Sequence, residues 1–130
     1  STQSINMILG VGVDLVSIEK IISNLKRDAF RRKVFTPAEI ESCNAISKSA
    51  ESYAGKFAAK EAFMKAIGKG IRQEVWFTQI EVLNHETGAP YIQVNGEAAR
   101  IFSVLGAEKI FLSISHTDGM AVAMVVLETA

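Results

Sequence analysis

The stretch KFAAKEAFMKAIGKG, residues 56–70, decides the fold: it reads as a long helix with a glycine stop, yet it carries Lys60, Glu61 and Lys65 among apolar residues. At about 100° per residue, Tyr53, Phe57, Phe63, Met64 and Ile67 form one broad apolar arc. Ala54, Ala58 and Ala62 form a small-residue stripe beside it, and Glu61 and Lys65 fall between arc and stripe. Ser49 or a neighbour starts this helix, and Gly68 or Gly70 ends it by taking the left-handed conformation that closes many helices. Lys60, nearer the centre of the arc, and Lys65 each read in two ways: a cation for a phosphate, or a side chain whose stem lies on apolar neighbours while its head reaches water.

Upstream, MILGVGVDL (residues 7–15) has strand composition, and its alternation puts Gly10, Gly12 and Asp14 on one face. Ser17 then caps a helix whose Ile18, Ile21, Ile22 and Leu25 keep helical spacing and which leads into a basic segment. In FTPAEIES, Thr36 as N-cap, Pro37 at the first helical position and Glu39 three residues after the cap predict a short helix through about Ala45. Downstream, residues 75–83 (VWFTQIEVL) and 90–94 (PYIQV) read as strands joined through a turn at Gly88. A short helix over residues 97–105 follows, ended by Gly106. Residues 110–115 and 120–127 close the chain as a hairpin around a loop of His116, Thr117, Asp118 and Gly119. The sum is one α+β domain over residues 1–130, a long central helix on a mainly antiparallel sheet. Residues 1–6 are expected to be a flexible lead, partly vector-derived.

The 130 residues suffice for a single core that removes roughly two-thirds of the unfolded surface from water. Hydrophobic residues make up 48% and charged residues 22%, which excludes a disordered chain. Fourteen basic and fourteen acidic residues cancel, so no whole-molecule field draws nucleic acid or an anionic membrane. The longest wholly apolar run, residues 120–127, is far too short to span a bilayer. One local imbalance remains. Residues 20–33 hold Lys20, Lys26, Arg27, Arg31, Arg32 and Lys33 against Asp28 alone, a pattern that fits a solvated face and a docking face for an acidic partner about equally. Cys43 is the single cysteine, so no intrachain disulfide or thiolate metal cluster forms, and a reducing, cytoplasmic setting is expected.

Familiar phosphate motifs fail on spacing. GVGVDL places Leu15 where a dinucleotide fingerprint needs its third glycine, and GKG follows a helix where a phosphate-binding loop precedes one. Ser115 and His116 are neighbours on a strand and point to opposite faces, with no nucleophile elbow around them. What remains is a pair of carboxylates, Asp14 at a strand end and Glu61 on a helix flank. Together they suit Mg²⁺, which takes one or two carboxylates and keeps several waters. The plain alternative is that Asp14 caps the next helix and Glu61 pairs with Lys65. His116, at the lip of a hairpin, suits an anionic ligand or a proton near neutral pH, or is simply an exposed loop residue.

GVGVDLVSIEKI, GKFAAKEAFMKAIGKG and SISHTDGMAVAMVV, in that order over residues 7–128, resemble the holo-[acyl-carrier-protein] synthase family of 4'-phosphopantetheinyl transferases. The resemblance implies the α+β fold of that family and transfer of 4'-phosphopantetheine from coenzyme A to a serine of apo acyl carrier protein, releasing 3',5'-ADP with Mg²⁺. It implies Asp14 and Glu61 as metal ligands and Glu61, Lys65 and His116 as catalytic residues. It further implies Lys56, Lys65, Gly88, Pro90, His116 and Thr117 as coenzyme A contacts. It leaves the general base open among Glu61, acting directly or through metal-bound water, Glu39 and His116. It also implies a homotrimer with sites between subunits, and a carrier docked on the basic residues 20–33. Lys20 and Lys56 stand where relatives commonly have arginine; they keep the charge and lose the two-pronged donor. A coenzyme A or carrier-binding module without catalysis, and a Mg²⁺-dependent phosphohydrolase, are the rival readings.

Overall fold

The computed structural model describes residues 5–68 and 75–130. The alternative helix stop at Gly70 and the first four residues of the expected lead lie outside them. β1 (Ile8–Ser17) runs into α1 (Ile18–Leu25), α2 (Asp28–Val34) and α3 (Pro37–Asn44), and then into the long helix α4 (Ser49–Ile67). A 3₁₀ turn (Phe77–Gln79) leads to the hairpin β2 (Ile80–Asn84) and β3 (Pro90–Val94), after which α5 (Gly96–Val104), β4 (Lys109–Thr117) and β5 (Met120–Glu128) follow.

All strand pairs are antiparallel. One sheet has the order β1-β5-β4 and the other pairs β2 with β3. The first and last parts of the chain therefore share a sheet. Ala123 of β5 pairs with Asp14 on one side and with Ile114 on the other.

α4 lies against this sheet so closely that two positions on β1 accept only glycine. A Cβ on Gly12 would stand 1.8 Å from the Ala62 carbonyl oxygen, and one on Gly10 would stand 2.0 Å from that of Ala66. Farther along, Gly55 meets Ile114 of β4, so α4 crosses the sheet from β4 at its N-terminal part to β1 at its C-terminal part. The alanine stripe is what lets backbone approach backbone. The main core surrounds Phe63, Ile67, Ile80, Val82, Val125 and Leu127. A second cluster around Ile21, Phe35, Tyr53 and Ala121 seats the three early helices, with the Phe35 and Tyr53 rings edge to face at 4.9 Å.

Two expectations need correction, and the basic segment adds a helix of its own: the chain breaks after α1, with Arg27 extended, and restarts as α2. Arg31 stabilises the break by donating from Nη2 to the Leu25 carbonyl at 2.8 Å, taking up an acceptor that α1 leaves open at its end. The strand expected from residue 75 begins only at Ile80, because Phe77–Gln79 form the 3₁₀ turn. The last hairpin has a two-residue loop: Asp118 and Gly119 both take positive φ, +46° and +77°, the backbone that a tight hairpin turn demands. His116 and Thr117 therefore belong to β4.

Among the described residues, no helix covers the other face of the β1-β5-β4 sheet. Register puts Val11, Val126 and Phe111 in one row, Val13 and Met124 in the next, and Leu15 and Val122 in a third. Val11, Val13, Leu15, Met124 and Phe111 are all about half exposed or more. This is a contiguous apolar surface of the kind that marks an interaction face.

Candidate active site

Asp14 owes its position to the glycines before it. Gly10 sits over Ala66 and Gly12 over Ala62, so two strand residues match one helical turn. Asp14 thus comes level with α4 about one turn before Ala62, on the flank that carries Glu61 and Lys65. Helical side chains slant toward the N-terminus. Lys65 follows that slope and donates to Asp14 Oδ1 at 3.0 Å and to the Val13 carbonyl at 2.9 Å. The Asp14 side chain is 16% exposed and that of Lys65 46%, so the pair is open to an incoming ligand. Asp14 does not cap α1; Ser17 does, its hydroxyl accepting the Lys20 N–H.

This edge fits a small hard cation. Lys65 already places positive charge on Asp14, and Glu61 brings a second carboxylate to the same flank. Among the described residues, no group of three or more His, Cys, Asp or Glu side chains gathers. A metal held by Asp14 and Glu61 would complete its shell with water and ligand oxygens, as Mg²⁺ does. Beside this edge lies a hollow of about 330 Å³ lined by Leu15, Ser17, Lys20, Phe57 and Met120, among others.

Four more of the expected contacts meet elsewhere. Lys56, Gly88, Pro90 and His116 line an open cavity of about 410 Å³ between α4, the β2–β3 hairpin and the end of β4. Lys48 adds a further cation and Glu51 an acid, with His116 Nδ1 3.4 Å from Glu51 Oε2. Gly88 takes φ +94° in the hairpin turn, where its N–H donates to the His85 carbonyl at 2.8 Å. Thr117 follows His116 on β4 and so faces the opposite side of the sheet.

The two groups do not meet within one chain. Asp14 is on β1 and His116 on β4, with β5 between them, which separates the two edge strands by about 10 Å at the shortest. Lys65 lies with Asp14, not in the cavity.

Sequence reasoning missed what lies beneath. Lys60 does not reach water, and Glu39 is not available as a base: both side chains are fully buried, 2.7 Å apart. Lys60 Nζ also donates to the carbonyls of Phe77 and Ile80, at 3.0 and 2.7 Å, which uses all three of its protons. Glu39 accepts from Lys60, from the Thr36 N–H and from the Val82 N–H, the last at 2.7 Å. The capping box of Thr36 and Glu39 forms as the sequence predicts, but the carboxylate also reaches across the core. Burial pushes the Lys56 and Lys60 ammonium groups below the usual lysine value, and the Glu39 carboxylate opposes this at both. The available signal was Lys60 itself: a lysine flanked by Ala58, Ala59, Ala62 and Phe63 on a buried helix requires a carboxylate partner.

A model of the 4'-phosphopantetheinyl transferase superfamily matches residues 10–125. A holo-[acyl-carrier-protein] synthase of Geotalea daltonii is 45% identical over 125 residues, covering 94% of this chain and 99% of the relative. The crystal structure of a holo-(acyl-carrier-protein) synthase from Bacillus anthracis in complex with CoA (3',5'-ADP) superposes with a TM-score of 0.79 at 38% identity, covering 95% of this chain and 99% of that one. The holo-[acyl-carrier-protein] synthase of Helicobacter pylori in complex with coenzyme A gives a TM-score of 0.78 at 36% identity, over 90% and 98% of the two chains.

Proposed function

The chain belongs to the holo-[acyl-carrier-protein] synthase family of the 4'-phosphopantetheinyl transferase superfamily, and from that membership we propose that its active site is assembled from two half-sites on different copies of one transferase domain. It is an enzyme that moves 4'-phosphopantetheine from coenzyme A to a serine of apo acyl carrier protein. The observation that carries the two-copy reading is the placement of Asp14 and His116 on opposite edge strands of one sheet. The uncovered apolar face of that sheet supports a partner copy, and the assembly proposed is a homotrimer.

In this reading Asp14 and Glu61 would hold Mg²⁺ at the β1 edge, and the cavity of a neighbouring copy takes the nucleotide end of coenzyme A. When bound, the ion supplies positive charge for the diphosphate oxygens. Lys65 adds a fixed positive charge beside them and turns from Asp14 to the ligand as the anion arrives. Glu61 accepts the carrier serine's proton. The serine oxygen forms a new bond to the phosphorus that carries pantetheine, that phosphorus breaks its bond to the bridging oxygen, and 3',5'-ADP leaves with the electron pair. His116, Lys56, Gly88 and Pro90 orient the nucleotide. Charge and position carry most of the acceleration in phosphoryl transfer.

The carrier docks on residues 20–33, where Lys20, Lys26 and Lys33 are exposed. Arg31 is held by the Leu25 carbonyl and the exposed Arg32 by Asp28, so both contribute less. The hollow between Lys20 and Phe57 runs from this surface to Leu15, the residue after Asp14. Reversing Lys20 and Lys26 to Glu raises the KM for carrier about tenfold and leaves that for coenzyme A unchanged; an unchanged carrier KM removes the docking surface. No helix among the described residues is long and apolar enough to cross a membrane. A cytoplasmic enzyme that supplies holo carrier for fatty acid synthesis fits these features.

The test of the assembly is complementation. Glu61→Gln and His116→Ala chains, each impaired alone, are mixed after reversible dissociation and supplied with apo carrier, coenzyme A and Mg²⁺. The carrier is then weighed by mass spectrometry. Recovered phosphopantetheine transfer is expected, with sedimentation at three times the mass of the chain. No recovery, or a monomer that transfers at full rate, ends the shared-site reading.

A further inference from the structure

The buried Lys60–Glu39 pair lies outside the reacting centre, and its hydrogen bonds lead to the cavity. β2 belongs to a two-stranded sheet, and its second edge faces α3 and α4 with no strand beside it among the described residues. An open edge exposes N–H and C=O groups that need partners. Here side chains take the place of the missing strand. Lys60 Nζ donates to the Ile80 carbonyl, Glu39 Oε2 accepts the Val82 N–H at 2.7 Å, and Lys56 Nζ donates to the Val82 carbonyl at 2.8 Å. Lys56 continues outward to Asn84 Oδ1 at 3.2 Å, and Asn84 Nδ2 donates to the Gly88 carbonyl at 3.0 Å. Val82, Asn84, Gly88 and Pro90 are one wall of the cavity. A line of hydrogen bonds, joined through the Val82 backbone, thus runs from a fully buried ion pair to the turn that borders the cavity.

We propose that the Lys60–Glu39 pair is a positioning device, a surrogate edge strand that fixes the β2–β3 hairpin against α4 so that the Asn84–Gly88–Pro90 wall is preformed for coenzyme A. The proposal rests on the assignment of this cavity to the coenzyme A nucleotide. Lysines four residues apart, at 56 and 60, reach alternate carbonyls of β2, because one helical turn roughly matches two strand residues. Lys60 and Glu61 are neighbours on α4 and diverge by about 100°. One helix therefore anchors the wall with Lys60 while presenting Glu61 at the β1 edge.

The test replaces the whole pair, because removing one partner would leave the other charge buried and unpaired. The Thr36, Phe77, Ile80 and Val82 backbone groups lose these partners, so a lower melting temperature is expected whatever the pair does for the ligand. The double variant Lys60→Met with Glu39→Leu is expected to remain folded, with kcat within about threefold of the parent. Its KM for coenzyme A should rise about tenfold, and its KM for carrier should not change. A purely structural pair would lower stability without splitting the two KM values. A folded double variant with the parental KM for coenzyme A overturns the proposal. If it does not fold, amide exchange of the parent decides. Residues 80–84 are expected to be protected before coenzyme A is added; free exchange that slows only on adding coenzyme A means that the ligand, not the ion pair, orders the wall. Failure of the underlying cavity assignment is separable, because His116→Ala would then leave the KM for coenzyme A unaltered.

Discussion

Glu61→Gln is expected to lower the single-turnover rate of phosphopantetheine transfer by about 10²-fold or more while leaving the melting temperature within a few degrees of the parent. Glutamine keeps the shape and one acceptor oxygen but loses the charge that a divalent ion requires and the basicity that a serine proton requires. The residue is only partly buried on the flank of α4, so the isosteric change asks little of the core. Asp14→Asn should behave alike in rate and differ in one respect. It also removes the anion that Lys65 holds at 3.0 Å, freeing that ammonium, so the apparent affinity for Mg²⁺ falls while coenzyme A without metal binds no more weakly. Titrating Mg²⁺ into each variant separates the two roles. Near-parental single-turnover transfer by Glu61→Gln would exclude that residue as both ligand and base.

Gly12→Ala is expected to destabilise the fold by about 3 kcal/mol or more, at the upper end of overpacking costs, and to lower the melting temperature by roughly 10 °C. The added methyl would stand 1.8 Å from the Ala62 carbonyl oxygen, 2.8 Å from its carbon and 3.0 Å from the Ala66 nitrogen. These are backbone atoms inside a buried helix and have no rotamer into which to retreat. Either β1 lifts from α4 or the helix bends, and both separate Asp14 from the flank carrying Glu61, so activity falls together with stability. Val104→Ala, an exposed valine on α5 away from this contact and from the uncovered face, is the control. Thermal melts within 2 °C of the parent for Gly12→Ala would show that β1 and α4 are not in the contact described.

Much of this was legible in the residues. A period of two puts Gly10, Gly12 and Asp14 on one face whatever the strand packs against, and the structure puts α4 there. The Thr36–Pro37–Glu39 signature is local chemistry and forms as written. Features that depend on distant partners were not readable. Glu39 and Lys60 are 21 residues apart and meet only because α3 and β2 flank the same stretch of α4. Nothing near residue 26 announces the break between α1 and α2, because the interaction that secures it comes from Arg31 in the next helix. The hairpin loop is two residues shorter than its polar run suggests, because His116 and Thr117 are polar and exposed, and polarity does not distinguish an exposed strand end from a turn. The division of the site between two edges depends on the strand order β1-β5-β4, which no local pattern encodes.

The bare apolar face of the sheet has a practical corollary for the bench. If the catalytic unit forms by covering that face with sister molecules, its population follows mass action, and turnover per mole of polypeptide declines as the stock is diluted. Rate plotted against enzyme concentration would then curve upward from the origin before becoming straight, and the bend would report how tightly the copies hold one another.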